Sequence, residues 1–148
     1  MKTSVLILGA ALAATGVAGA AEVTHLNESG ALPPGLPFSE AVRVDDTLYL
    51  SGQVATQPGV LELVPGGMEA EARQVLGNIR TVLEANGLGL EDVVKCTVML
   101  ADIAEWPLFN EVYAEFFSAP YPARSAFAAS GLALGARVEL ECLAVFPD

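Results

Sequence analysis

The sequence predicts an α+β fold, a mixed β-sheet with two helices packed on one face. Three observations point to it. Met68, Ala72, Val75, Leu76, Ile79, Val82 and Leu83 recur at three- and four-residue spacing, as on one face of a helix. Phe109, Val112, Tyr113, Phe116 and Phe117 repeat that pattern over a shorter stretch. Around them lie short apolar runs with strand character, giving the order ββ, α, β, α, ββ. Two passages of the βαβ kind need crossover helices, which settle on a sheet face.

Taken in order, residues 21–36 are rich in Pro, Gly and small polar residues and read as a loose lead-in. Phe38–Val44 and Thr47–Ser51 form a hairpin with Asp45-Asp46 at its turn. Residues 54–66 carry two Pro-Gly signals and read as a loop. The first helix follows, and Gly87 is its C-terminal stop. Val93–Leu100 is a buried strand. Asp102 to Pro107 reads as a helix start, since proline is tolerated in a first turn. Pro120-Tyr121-Pro122 ends that helix. Ser125–Ala129 and Arg137–Phe146 are the last two strands, expected to pair as a hairpin.

The first twenty residues read as an address. Lys2 supplies a positive start, Val5–Ala14 is apolar without charge, and Ala18-Gly19-Ala20 has the small-x-small pattern of a cleavage site. The apolar run falls short of the roughly 20 residues that span a bilayer. An uncleaved N-terminal anchor is the other reading. Cleavage after Ala20, or else after Ala21, would leave a periplasmic or secreted protein with no membrane segment. The domains are then a signal peptide 1–20, a lead-in 21–36 and a folded domain 37–148.

Composition excludes several functions. The chain has 148 residues, 53% of them hydrophobic, so it is one folded domain. Eighteen acidic residues against seven basic ones give a net charge of −11, which argues against nucleic-acid binding and anionic lipid. One histidine and two separated cysteines argue strongly against a zinc cluster built on Cys and His. Export would permit one bridge, Cys96–Cys142. Strand-to-strand bridges have demanding geometry, which favours reading both as small buried hydrophobes.

Each basic residue is therefore informative. Arg73 and Arg80 share the first helix with Glu69 and Glu84 at four-residue spacing and read as surface ion pairs. Arg43 and Lys95 sit among apolar neighbours and can snorkel. Arg124 differs. It follows a rigid Pro-rich bend and precedes Ser125, Ala126 and Ala128, which leave space around a guanidinium able to grip a carboxylate with two donors. A structural arginine tied to a carbonyl or an acid is the alternative. Pairing the last two strands as a hairpin sets Arg124 on one face with Glu139 and Glu141, and a solvated strand-edge acid is the alternative for either glutamate. Along the last strand, Val138, Leu140, Cys142 and Ala144 fall on one side. Arg137, Glu139, Glu141, Leu143 and Val145 fall on the other, which changes from charged to apolar along its length. Such a face suits a subunit interface with a polar cavity at one end, so a homo-oligomer is expected.

Several segments carry a family resemblance. They are Pro37-Phe38-Ser39-Glu40-Ala41, Leu50-Ser51-Gly52-Gln53, Asp92-Val93-Val94-Lys95, Asn110-Glu111-Val112-Tyr113, Pro122-Ala123-Arg124-Ser125 and Val138-Glu139-Leu140-Glu141. From about Pro37 to Phe146 the chain resembles the RidA/YjgF family of reactive-intermediate deaminases. The resemblance implies a chorismate-mutase-like fold and a homotrimer with three clefts between subunits. It implies hydrolysis of 2-imino or enamine acids to 2-oxo acids and ammonia, with no metal or cofactor. Arg124 then binds the substrate carboxylate and Glu139 orients water, while Phe38, Ser51 and Asn110 line the cleft. Phe38 stands where many members have Tyr, Ala126 where many have Cys, and Glu40 where Gln is common. A protonated imine carbon is already electrophilic, so one Arg and one Glu suffice for the reaction. A non-catalytic trimer that binds a small carboxylate in the same cleft is the competing reading. Chorismate mutase chemistry needs several cations around a dicarboxylate, which this chain lacks.

Overall fold

The computed structural model describes residues 19–147, so the expected leader lies outside it except for Gly19 and Ala20. The elements are β1 (Val23–Leu26), β2 (Ala41–Val44), β3 (Thr47–Leu50), β4 (Gln53–Val54), α1 (Gly67–Ala85), β5 (Val93–Leu100), α2 (Trp106–Phe116), β6 (Ala123–Ala128) and β7 (Val138–Val145). All strands join one mixed sheet in the order β1-β2-β3-β7-β5-β6, with β4 paired to β7 beyond the end of β3. Only β5 and β6 pair in parallel, as the crossover through α2 requires.

Both helices follow their periodicity. All seven apolar residues of the first stripe are buried on α1. Beyond its end, Gly87 takes a φ of 76°, and its N–H donates to the Glu84 carbonyl at 3.1 Å. Pro107 sits in the first turn of α2, whose Phe109, Val112 and Tyr113 are buried. The helices cover the face of the sheet that carries Leu48, Leu50, Val98, Leu100, Leu140 and Ala144, all buried. Each fully buried leucine contributes roughly 1.5–3 kcal/mol by leaving water.

The other face is open in the single chain. Strand alternation and register put Tyr49, Thr97, Met99, Phe127, Glu139, Glu141 and Val145 there. Tyr49 is 47% exposed, Phe127 49% and Val145 40%. The expected change from charged to apolar along β7 is present on this face.

Four expectations are corrected. Residues 21–36 are not all loose lead-in: Val23–Leu26 form the edge strand β1, paired antiparallel with β2. Glu40 explains why the Pro/Gly-rich stretch after β1 is held. Its buried carboxylate accepts from the Ser29 N–H at 3.0 Å, the Ser29 hydroxyl at 2.8 Å and the Leu32 N–H at 3.0 Å. The 54–66 loop begins inside the sheet, at β4, and Thr56 and Leu63 form a bridge across it. The last two strands are not a hairpin, because β5 lies between β6 and β7. Finally, Cys96 and Cys142 are bridged. They stand directly opposite on β5 and β7 with their Cα atoms 4.1 Å apart. Both are also buried, so the hydrophobic reading had the environment right and the chemistry wrong.

Candidate active site

The intervening β5 changes where the site residues lie. Arg124 is in register with Cys96 on the parallel pair, and Cys96 is in register with Cys142. Arg124 therefore projects to the helix side of the sheet, toward α2. Glu139 pairs with Met99, one position out of phase, and projects to the open side. The expectation that Arg124 shares a face with Glu139 and Glu141 is thus wrong. The candidate residues form two separate half-sites within a chain.

The cation half sits at the edge strand β6. Nη2 of Arg124 donates to Oδ1 of Asn110 at 2.7 Å, and the guanidinium carbon lies 4.6 Å from the centre of the Tyr113 ring. Asn110 and Tyr113 are three residues apart on α2, so both reach the same spot. Arg124 lines an open cleft of about 530 Å³ with Ile103, Ala104, Trp106, Pro107 and Ala126. It also borders a smaller cleft of about 340 Å³ with Asn110, Tyr113, Tyr121 and Pro122.

Arg124 stands apart from the other arginines. Arg73 pairs with Glu69 at 3.2 Å and with Glu115, Arg80 with Glu84 at 3.9 Å, Arg137 with Glu105 at 2.6 Å, and Arg43 with Asp46 at 3.9 Å. The helix pairs expected for Arg73 and Arg80 are therefore present. The Arg73 guanidinium also holds the Glu115 carboxyl below the usual range. Lys95, on the open face, donates to the Ser125 hydroxyl at 2.8 Å. Among the described residues, Arg124 is the one arginine without a carboxylate within 4 Å.

The acid half gathers Glu139, Gly52 and Ser51. The Glu139 carboxyl lies over Gly52 so closely that a Cβ there would collide with Oε1. Only glycine lets this acid approach the chain so tightly. Burial, then the neighbouring Glu141 charge, push the Glu139 carboxyl above its ordinary range. Ser51 is fixed beside this pair. Its hydroxyl donates to the Ser39 carbonyl at 2.6 Å, and its N–H to the Glu40 carbonyl at 2.9 Å. Phe38 precedes Ser39 and is 49% exposed, one side of it lining a cleft with Leu32, Pro33 and Leu36.

The structure thus joins Asn110 to Arg124 and sets Ser51 near Glu139, but does not bring the two groups together in one protomer. Sequence reasoning missed the roles of Gly52 and Tyr113. Gly52 was visible within Leu50-Ser51-Gly52-Gln53, and Tyr113 lies one helical turn from Asn110, yet its place in an apolar stripe explained it fully.

The sequence and the fold both match known proteins. A family model described as Endoribonuclease L-PSP matches residues 29–146. A Bos taurus protein named 2-iminobutanoate/2-iminopropanoate deaminase is 47% identical over 109 residues, covering 74% of this chain and 80% of its own. The Homo sapiens protein of the same name is 43% identical over 119 residues, covering 79% and 87%. The crystal structure of RidA from an Antarctic Psychrobacter species superposes with a TM-score of 0.78 at 37% identity, over 83% of this chain and 99% of that one. With its fold, motifs and nearly the whole described domain matched, this chain belongs to the Endoribonuclease L-PSP family, the RidA/YjgF group that its sequence resembles.

Proposed function

We propose that this protein hydrolyses 2-imino acids and their enamine tautomers to 2-oxo acids and ammonia, in a cleft completed by a second copy of the chain. The observation that carries this reading is Arg124. In a chain of net charge −11, one guanidinium is kept clear of acids and held by a neutral amide and an aromatic ring. That arrangement leaves its charge available to a substrate carboxylate. The deaminase names of relatives at 43–47% identity support the reaction class. The word endoribonuclease in the family description suits this chain poorly, since seven basic residues against eighteen acids offer no phosphate track.

The chemistry follows from the two halves. Arg124 grips the carboxylate and fixes the iminium carbon. Glu139, made more basic than an ordinary carboxylate, accepts a proton from a water as its oxygen bonds to that carbon. Glu139 returns that proton to the carbinolamine nitrogen and then takes the hydroxyl proton as the C–N bond breaks, so ammonia leaves and the 2-oxo acid is formed. Arg124 and Glu139 project from opposite sides of their own sheet, so they meet only if the β6 edge of one protomer faces the open sheet face of another. The exposed Tyr49, Phe127 and Val145 give that face the apolar character of an interface. A homotrimer with three such clefts is the assembly we propose.

We also place the protein outside the cytoplasm, as a periplasmic or secreted enzyme acting on imines made there by amino-acid oxidation. The Met1–Ala20 pattern supports this, and the Cys96–Cys142 bridge suits an oxidising compartment. Mass spectrometry of protein from the native host should give an N-terminus at Ala21 or Glu22, and an intact leader would defeat export. For the activity, 2-iminopropanoate and 2-iminobutanoate generated in situ should lose ammonia faster with the purified protein than without it. No acceleration on either would favour the carboxylate-binding reading. Light scattering should give about three times the monomer mass.

A further inference from the structure

We infer that Tyr113 is a positioning residue for Arg124, acting through the face of its ring and not through its hydroxyl; the inference rests on Arg124 being the carboxylate anchor. A free guanidinium poses a physical problem. A carboxylate neighbour would fix it, but would also neutralise it and occupy the donors a substrate needs. Asn110 fixes only one nitrogen and leaves the group able to turn about that contact. A ring face holds a cation electrostatically and uses none of its N–H donors. Tyr113 offers that face 4.6 Å from the guanidinium carbon, whereas Phe109 is farther, at 6.0 Å. Of the five N–H groups of Arg124, only one is engaged within the described residues, so an edge with two donors stays open to a carboxylate.

The ring is itself held firmly. It stacks on Phe117 with centroids 4.5 Å apart and tilts against Phe109 at 5.7 Å, forming an aromatic ladder along α2. Its hydroxyl is buried and finds no partner among the described residues. Burial pushes the phenol above its ordinary range, opposed by the Arg124 charge, so it stays protonated at neutral pH and offers no phenolate base.

The test compares Tyr113→Phe, Tyr113→Leu and Arg124→Ala. Binding of 2-oxobutanoate is measured by calorimetry, turnover by ammonia release, and stability by thermal melting. Tyr113→Phe should bind within about twofold of wild type, and Tyr113→Leu should raise Kd and KM roughly tenfold with a smaller change in kcat. A purely structural role would lower Tm and active fraction but would not be rescued selectively by phenylalanine in Kd. The Arg124 Nε–Hε resonance gives an independent readout. It should show a ring-current shift in wild type and in Tyr113→Phe, and lose it in Tyr113→Leu. An unshifted wild-type resonance overturns the inference even if Tyr113→Leu fails to fold. Wild-type Kd in Tyr113→Leu, with binding lost in Arg124→Ala, overturns it while leaving Arg124 as the anchor. Equal loss in Tyr113→Phe and Tyr113→Leu would assign the effect to the hydroxyl and also overturn it. Wild-type binding by Arg124→Ala would remove the anchor and the inference together.

Discussion

Arg124 and Glu139 are held by different means. Arg124 leaves an edge strand and is steadied by Asn110 and Tyr113 of α2, so its cradle comes from its own protomer. Glu139 lies on a central strand, seated on the backbone of Gly52 and turned toward the face that the helices leave bare. In the proposed reaction, recognition is built inside one chain while turnover depends on a second copy. The cation needs a rigid polar and aromatic cradle, which helix packing provides. The acid needs burial to raise its basicity, and a neighbouring subunit can deepen that burial.

The largest expected effect comes from removing the anchor. Two charge-assisted hydrogen bonds at roughly 1.5–3 kcal/mol each imply that Arg124→Ala lowers kcat/KM by about 10²–10⁴-fold. Arg124→Lys keeps charge but loses the planar fork, and should lose at least about tenfold. Steady-state kinetics on 2-iminobutanoate checks both. Glu139→Gln should lower kcat by about 10²-fold while leaving 2-oxobutanoate affinity nearly unchanged. If Arg124→Ala abolishes binding while Glu139→Gln turns over normally, the site is a carboxylate receptor.

Co-expressing Arg124→Ala with Glu139→Gln breaks or confirms the division between protomers. Random mixed trimers should regain about one quarter of the wild-type sites if each cleft takes Arg and Glu from different chains. No recovery would put both groups in one chain. A smaller effect is expected at Gly52. Its Cβ would displace the Glu139 carboxyl, so Gly52→Ala should lower kcat roughly tenfold with KM little changed.

The smallest effect is a shift in pH dependence. Glu139 is raised first by burial and second by the Glu141 charge. Activity that requires ionised Glu139 therefore falls, on acidification, at a higher pH than an ordinary glutamate would give. Glu141→Gln removes only the second cause, so the acid limb of kcat/KM should move to lower pH without a large change at neutrality. A limb that stays put would mean that another group sets it.

Much of the fold was readable because helices and strongly alternating strands write their period into neighbouring residues. The seven-residue stripe of α1 and the run Val93–Leu100 correspond to the elements observed. In Val138–Val145, strict alternation told which residues would be buried. The strand Ala123–Ala128 carried no such signal. Its sequence, ARSAFA, puts Ala, Ser and Phe on one side and Arg and two Ala on the other, with no continuous apolar side, so nothing local oriented Arg124.

The chain's own order of apolar and polar residues thus determined its helices, its central strands and its family, and marked Arg124 off from the arginines spaced for helix ion pairs. Tertiary structure decided that β5 separates β6 from β7, that Cys96 meets Cys142, and that Arg124 and Glu139 face opposite ways. The reason is the range of the interactions. Periodicity acts over one or two turns, whereas strand order depends on which distant segments bury each other's surfaces. In a parallel pair joined by a helix, that choice fixes which side of the sheet every side chain sees.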